Sequence, residues 1–168
     1  MSWSIIDFQG FKSNENEFII KELFILKDDD SSYSYLFKPP FSKDKLSSKA
    51  KRTNHYCTKY IHGLKWDAGE VPYRDLMQIL RSICKDDIHI MCKGSEKTSF
   101  LKKILNPDTV LDLDLVLFKR LNVLEENSDG TSGSGSSSWC PYNHHGFSCA
   151  KKNCFKILNW WKKFKNIL

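Results

Sequence analysis

The first 40 residues alternate between short apolar runs and polar clusters. Three of the runs are rich in Ile, Phe and Tyr: Trp3–Phe11, Phe18–Leu26 and Tyr33–Phe37. The clusters at 13–16 and 28–32 consist mainly of Asn, Ser, Asp and Glu. Short β-rich runs between such clusters predict three antiparallel strands joined as a meander. Pro39 and Pro40 end the third strand, because proline cannot donate to a β-ladder.

The apolar positions take a helical period further along the chain. After Pro72, they follow the i, i+3, i+4, i+7 spacing at Leu76, Ile79, Leu80 and Ile83. This spacing predicts a helix, and proline suits its first turn. Four more segments then alternate in type: a strand at 88–92, a helix from Ser95 to Leu105, a strand at 110–113 and a helix at 115–124. We expect Ser95 to cap its helix.

The remaining segments are a polar stretch and a C-terminal helix. Residues 42–52 are predicted to form a loop, followed by a short helix around 56–60. The last helix begins near Ser148, and one of its faces is apolar: Ala150, Cys154, Ile157, Leu158, Trp161, Phe164 and Leu168. Three lysines share the opposite face, so we expect all of them to face solvent: Lys152, Lys156 and Lys163.

Length and composition are those of one ordinary domain. The chain has 168 residues, of which 40 % are hydrophobic, enough for a core of normal size. We assign 1–127 to the body of the domain and 128–138 (SDGTSGSGSSS) to a flexible Gly/Ser linker. That linker is either natural low complexity or an inserted spacer. Residues 139–168 form a Cys/His segment and a basic helix that complete the same domain.

The sequence favours an intracellular location, in the cytoplasm or the nucleus, without membrane association. No apolar run reaches the roughly 18 residues of a membrane span. The N-terminal stretch lacks a basic region and Asp7 interrupts its apolar run, so we expect no secretory signal. Six cysteines without an export signal indicate reduced thiols or metal ligands.

The net charge of +6 is confined to the C-terminal segment. Residues 1–138 hold 20 basic and 20 acidic side chains, whereas 139–168 hold six lysines and no acid. Such asymmetry is typical of an end that faces a polyanion, and equally of the solvated back of a helix. Lys152, Lys156 and Lys163 are therefore the candidate contacts to RNA or single-stranded DNA.

Asp7 and Gln9 are the first residues with candidate chemistry. They are two apart on the first predicted strand, so both side chains project from the same face. The stretch IIDFQGF, with three strands followed by alternating helices and strands, resembles the DEDD 3′–5′ exonuclease superfamily. The resemblance implies a ribonuclease H-like α/β fold: a mixed sheet with helices on both faces. It also implies a site for two magnesium ions, to which an Asp-x-Glu motif on the first strand contributes carboxylate ligands. Here Gln9 replaces the glutamate of that motif.

The second acidic motif of that superfamily is also altered here. It falls at IHIMCKGSEKTSFLKKIL, which contains Glu96 but no aspartate. Lys93 and Lys97 flank the position and would repel a divalent cation, which prefers anionic oxygen ligands.

The third motif, His-x4-Asp, has lost its aspartate. Counting from His144 the aspartate position holds Cys149, and counting from His145 it holds Ala150. What remains is interpreted as a vestigial pocket: Asp7, Gln9 and Glu96. We therefore expect no magnesium- or manganese-dependent exonuclease activity.

Cysteines and histidines, which are common metal ligands, cluster at the position of the third motif. In CPYNHHGFSC, Cys140 and Cys149 enclose the pair His144 and His145. Thiolate and imidazole are the ligands that Zn²⁺ prefers, and a structural site takes four of them. The fourth ligand is left open among three residues: His62, Cys57 and His55. The other interpretation is a set of unrelated buried thiols and surface histidines.

This pattern of substitutions is similar to that of the Maelstrom domain, a module of animal germline small-RNA pathways. That resemblance implies the exonuclease fold without its acids, and a Glu-Cys-His-Cys zinc set. Cys140, one of His144 and His145, and Cys149 match the set, and its glutamate has no assigned position here. The chain also resembles a group of arthropod proteins that share IIDFQGF, HGLKW and a Cys-Pro…His…Cys-Ala-x-x-Asn ending.

Trp66, in YIHGLKWDAG, has two interpretations. It is either a core residue under the sheet or a residue that stacks on a base at the edge of the substrate groove that the exonuclease resemblance implies. We include it among the candidate nucleic-acid contacts.

Three functions fit these observations. We prefer zinc-stabilised binding of RNA or single-stranded DNA without two-metal catalysis. The alternatives are a metal-independent RNA nuclease of the Maelstrom type and a scaffold for protein interactions. The chain contains neither a phosphate-binding Gly-rich loop nor a Gly-x-Ser-x-Gly elbow, so we expect no small-molecule cofactor.

Overall fold

A computed structural model describes residues 2–116 and 148–165. Its five strands are β1 (Trp3–Lys12), β2 (Phe18–Lys27), β3 (Ser32–Leu36), β4 (His89–Cys92) and β5 (Val110–Asp112). They form one open sheet in the order β3-β2-β1-β4-β5. β2 is antiparallel to β1 and to β3, whereas β4 runs parallel to β1 and to β5. The prediction of an α/β fold with a mixed sheet and an N-terminal meander is confirmed.

Four α-helices accompany the sheet in the described ranges: α1 (Ser48–Tyr56), α2 (Leu76–Cys84), α3 (Ser95–Ile104) and α4 (Ala150–Lys165). α1 continues directly into a π-helical turn at Cys57–His62, and a 3₁₀ turn at Tyr73–Asp75 leads into α2. Two further 3₁₀ turns lie at Lys43–Lys45 and Leu113–Val116. Within 2–116 and 148–165, every helix is too short or too polar to cross a membrane.

The helices lie on both faces of the sheet, as predicted. On one face of β1, Ile6 and Phe8 pack with apolar residues of α2 and α3. Neighbouring strand residues point to opposite faces, and Ile5 accordingly packs with Ala150 and Cys154 of α4. Further along that second face, a separate cluster joins the end of the meander to α1: Phe11, Ile19, Leu46, Ala50 and Trp66.

Two local predictions are wrong. Residues 42–52 do not form a loop, because α1 begins at Ser48, and the Ser47 hydroxyl accepts a hydrogen bond from the N–H of Ala50. α1 buries only Ala50 and Asn54, so it lacks the apolar stripe from which a helix is predicted in a sequence. Ser95 does not cap α3, since the capping position is Gly94 and no side chain caps this end.

The helix predicted at 115–124 lies outside the described residues beyond Val116. The predicted linker at 128–138, with its boundaries, and the start of the Cys/His segment up to residue 147 also lie outside them.

A β-bulge in the first hairpin sets which residues face α4. Gln9 pairs with Glu22, but the next residue, Gly10, pairs with Ile20, so Lys21 is the extra residue of β2. A Cβ at Gly10 would lie 2.0 Å from the carbonyl oxygen of Ile19, so only glycine fits there. The bulge keeps Glu22 on the face of Gln9, toward α4.

Candidate functional site

Three polar side chains are buried side by side on the α4 face of the sheet. Asp7, Gln9 and Glu22 are only 2 %, 6 % and 1 % exposed. Asp7 and Gln9 share this face, as the sequence predicts. They lie between the apolar cluster around Ile5 and the one around Phe11. Buried polar groups are costly unless they are satisfied, so their partners decide what they can do.

Asp7 is held by two side chains that are distant in sequence. The Nζ of Lys97 lies 2.5 Å from Oδ1 of Asp7, and the amide of Asn153 donates to Oδ2 over 2.8 Å. Burial raises the pKa of Asp7, although Lys97 and Asn153 act against that rise. Burial lowers the pKa of Lys97, but the Asp7 carboxylate outweighs this and the net shift is upward. Lys97 therefore remains an ammonium on this carboxylate.

The short strand β4 lets Lys97 reach Asp7. β4 pairs with β1 only from Trp3 to Ile5, so α3 begins beyond the end of β4 and beside the next residues of β1. The Lys97 ammonium also lies 5.5 Å from the ring centre of Phe8. A positive charge thus lies against one oxygen of Asp7, the acidic residue of β1.

Glu96 does not belong to this cluster, which corrects its assignment to the vestigial pocket. Its side chain is 56 % exposed and forms an ion pair with Lys12. Consecutive helix residues point about 100° apart, so when Lys97 faces Asp7 the side chain of Glu96 is directed elsewhere.

The last helix is joined to the cluster through Gln9. The Nε2 of Gln9 donates to the Ser148 hydroxyl over 2.9 Å, and the Asn153 amide lies 3.3 Å from the same oxygen. The amide of Gln9 thus does what a carboxylate could not, since it donates a hydrogen bond to the segment that begins α4.

Glu22 lies at the start of α4 and was not found from the sequence. Its Oε2 accepts a hydrogen bond from the N–H of Ala150 over 3.0 Å, and its Oε1 lies 3.8 Å from Sγ of Cys149. A carboxylate is favourable at a helix N-terminus, where N–H groups lack helical partners. The sequence did contain an indication, because Lys21 and Glu22 are adjacent charges inside an otherwise apolar strand.

Of the predicted ligands in the Cys/His segment, only Cys149 lies within the described residues, whereas His62, Cys57 and His55 can all be placed. Cys140, His144 and His145 lie outside the described residues, and within those residues no three His, Cys, Asp or Glu side chains converge on a possible metal position. Cys149 is buried beside Glu22.

His62 is a structural residue in this fold, which corrects its assignment as a ligand. Its Nε2 donates to the Gly10 carbonyl over 2.9 Å, and its Nδ1 accepts from the N–H of Leu64 over 3.1 Å. Both ring nitrogens thus serve the backbone. Through these two hydrogen bonds, the imidazole connects the π-helical turn to the bulge of the first hairpin.

The other two candidates for a fourth ligand differ in exposure. Cys57 is half-buried, and burial raises the pKa of its thiol, whereas His55 is exposed on the outside of α1. The segment that carries them lies close to the C-terminal segment, because the N–H of Ser148 donates to the Ile61 carbonyl over 2.7 Å. Cys154 is a core residue, as predicted.

Trp66 is a core residue and not a stacking surface. It is 4 % exposed, and its ring packs against those of Phe11 and Phe41, with centroids 5.3 and 5.7 Å away. Its assignment as a nucleic-acid contact is therefore wrong, because no base can reach it.

The three lysines of α4 are not equally exposed. Lys163 is exposed as predicted, whereas Lys152 and Lys156 are half-buried. The expectation that all three face solvent holds fully only for Lys163. Lysine can keep its ammonium in water while its stem is covered, so partial burial leaves these side chains able to meet a phosphate.

Comparison with known proteins does not identify a family for this chain. No protein-family model matches it, and no curated protein matches it.

Proposed function

We propose that this chain is a nucleic-acid-binding domain of ribonuclease H-like architecture that does not perform two-metal hydrolysis. The observation that carries the proposal is the ion pair of Lys97 with Asp7 inside the buried polar cluster. It puts an ammonium where the resemblance to DEDD exonucleases would place a divalent cation.

The architecture supports the first part of the proposal. The sheet joins an antiparallel meander to the parallel strands β4 and β5, and helices cover both of its faces. This is the arrangement that the sequence resemblance implies. The polar cluster on β1 is also at the position of the catalytic acids in that resemblance.

The chemistry of the cluster supports the second part. Two-metal hydrolysis needs several anionic oxygens around a pair of cations about 3.5–4 Å apart. Here Asp7 is paired with Lys97, Gln9 is neutral, and Glu22 binds the start of α4. The remaining capacity is to bind a polyanion, for which α4 supplies the lysines Lys152, Lys156 and Lys163.

We further propose that a structural zinc joins the Cys/His segment to the sheet. The sequence offered no glutamate for the Glu-Cys-His-Cys set, and Glu22 supplies a carboxylate 3.8 Å from the thiol of Cys149. A thiolate and a carboxylate are both zinc ligands, so this pair fits the ion. Cys140 and one of His144 and His145 would complete the set.

The experiment is fluorescence anisotropy with a labelled single-stranded RNA of mixed sequence, titrated at several salt concentrations. We expect salt-dependent binding by the wild-type chain. The triple Lys→Glu variant at 152, 156 and 163 should bind more weakly. Its slope of log affinity against log salt should be shallower by up to about two, since each lost phosphate contact removes roughly 0.7.

The matched control places the same charge change on exposed lysines of the opposite side: Lys85→Glu, Lys102→Glu and Lys103→Glu. This variant should keep most of the affinity and the slope. Processive shortening of an end-labelled strand in magnesium, abolished by Asp7→Asn, would contradict the proposal. Cleavage that survives EDTA would favour the metal-independent nuclease. The absence of any binding, with salt-insensitive capture of a protein partner, would favour the scaffold.

A further inference from the structure

The outer face of α1 and of the π-helical turn carries a second basic surface. Residues 45–66 contain six Lys or Arg side chains and no acid, and Asp44 and Asp67 mark the two ends of this stretch. Five of these six cations are exposed, and two of the five, Arg52 and Lys59, lie beside exposed aromatic side chains. In the described part of the chain neither of the two forms an ion pair, so their charge is not compensated within the fold.

Two exposed tyrosines lie among these cations. Tyr56 and Tyr60 are 56 % and 58 % exposed, and their ring centroids are 5.0 Å apart with an interplanar angle of 44°. The ammonium of Lys59 lies 5.0 Å from the ring centre of Tyr60. Aromatic side chains that are this exposed contribute little to the stability of the fold. Two of them side by side therefore indicate a binding surface.

The cations and the tyrosines form one surface. A shallow depression of about 530 Å³ is lined by six residues of this face: Lys51, Arg52, His55, Tyr56, Lys59 and Tyr60. At 1.5 Å per residue, the surface extends for roughly 14 Å along the helix. That length corresponds to about four stacked nucleotides at 3.4 Å each.

This surface is held rigidly to the rest of the fold. The side-chain amide of buried Asn54 accepts from the N–H of Lys12 over 2.8 Å and donates to its carbonyl over 2.9 Å. His62 ties the π-helical turn to Gly10, and Ile61 accepts from Ser148 just before α4. The backbone that carries the tyrosines is therefore attached to the sheet, and the end of this surface meets the start of the basic helix α4.

We propose that the surface formed by these six residues binds a single strand of nucleic acid, whose bases stack on Tyr56 and Tyr60 while Arg52 and Lys59 contact its phosphates. This inference rests on the proposed nucleic-acid binding and names where the strand lies. Exposed π-faces beside uncompensated cations are the chemistry with which proteins hold single strands independently of sequence. A duplex fits poorly, because its bases are stacked on each other and expose only their edges.

Three double variants, measured by the same anisotropy titration, separate the contribution of stacking from that of charge. Tyr56→Ala with Tyr60→Ala should weaken binding to single-stranded RNA by at least about fivefold without changing the salt slope. Tyr56→Phe with Tyr60→Phe should keep the wild-type affinity, because phenylalanine retains the π-face. Arg52→Ala with Lys59→Ala should make the salt slope shallower by about 1.4.

Matched controls come from similar side chains elsewhere on the surface. Tyr33→Ala removes a 38 % exposed tyrosine from β3, and Lys102→Ala with Lys103→Ala removes two exposed lysines from α3. Both should bind like the wild type. Melting curves of all variants should match that of the wild type, since every changed side chain is exposed.

The outcomes distinguish this inference from the function on which it rests. If the α4 lysine variant loses affinity while the tyrosine and Arg52/Lys59 variants bind like the wild type, the α1 surface is not the binding surface and the proposed function stands. Equal affinity for a duplex and a single strand, with no effect of the tyrosines, also overturns the inference. If the wild-type chain binds no single strand at all, the proposed nucleic-acid binding and this inference are both wrong.

Discussion

At the scale of single residues, the most informative group is Asp7 with its partners. An isolated buried carboxylate is so costly that it becomes neutral or acquires a cation. In this chain the cation is the ammonium of Lys97, supported by the amide of Asn153. The pair accounts for an acid that is buried inside a sheet face.

We expect the ion pair of Asp7 with Lys97 to contribute to the stability of the fold. Lys97→Met should lower the unfolding free energy by about 3–5 kcal/mol, because it leaves the Asp7 carboxylate buried without a counter-charge. The double variant Asp7→Asn with Lys97→Met should recover a large part of that loss, since the remaining amide is neutral. Urea denaturation measures both values. A double variant no more stable than Lys97→Met would show that the charge of Asp7 is not what Lys97 compensates.

At the scale of elements, α1 depends on a polar contact rather than on an apolar stripe. Its buried residues are Ala50 and Asn54, and Asn54 pairs with both backbone groups of Lys12 at the end of β1. One side chain thus completes the end of a strand and positions a helix. The same contact fixes the exposed face that carries Tyr56 and Tyr60.

Loss of this contact should affect stability and binding together. Asn54→Ala should lower the unfolding free energy by about 2 kcal/mol, because two hydrogen bonds are lost and the groups of Lys12 are left without partners. Affinity for single-stranded RNA should also fall, although Asn54 is buried and touches no ligand. The adjacent exposed residue supplies the control, Thr53→Ala, which should change neither. A stability loss below about 0.5 kcal/mol for Asn54→Ala would refute this account of how α1 is attached.

At the scale of the whole molecule, the C-terminal segment completes the core of the N-terminal sheet. α4 covers the apolar residues of β1 and β2, and its first turn is held by Glu22. Under the zinc proposal the metal reinforces this attachment, because a structural zinc contributes directly to folding.

Metal content tests this attachment. Protein purified without added zinc should contain about one equivalent, and removal of the metal should lower the melting temperature. Cys149→Ser and Glu22→Gln should both reduce the bound zinc. Cys84→Ser, which changes a buried thiol on α2 outside the proposed set, should keep it. Well-folded protein without zinc would end the proposal and leave Glu22 solely as the carboxylate that caps α4.

What the sequence alone determines about this protein is the local pattern. Apolar, β-rich runs separated by polar clusters predict all three strands of the meander to within one residue at each end. Helical spacing likewise places α2, and the shared face of Asp7 and Gln9 follows from strand geometry. The strands could be predicted because a strand buried on both faces needs a continuous apolar run, and α2 because burial of one helix face imposes a helical period on its residues.

What only the tertiary structure decides is which distant residues meet. Lys97 lies 90 positions from Asp7, and Cys149 lies 127 positions from Glu22, so no local period links either pair. The burial of Trp66 and the backbone contacts of His62 depend in the same way on how α1 and its π-helical turn lie against the bulge. A residue type shows which chemistry a side chain can perform. Its partners, its exposure and the dielectric around it are set by the packing of segments that are far apart in the chain.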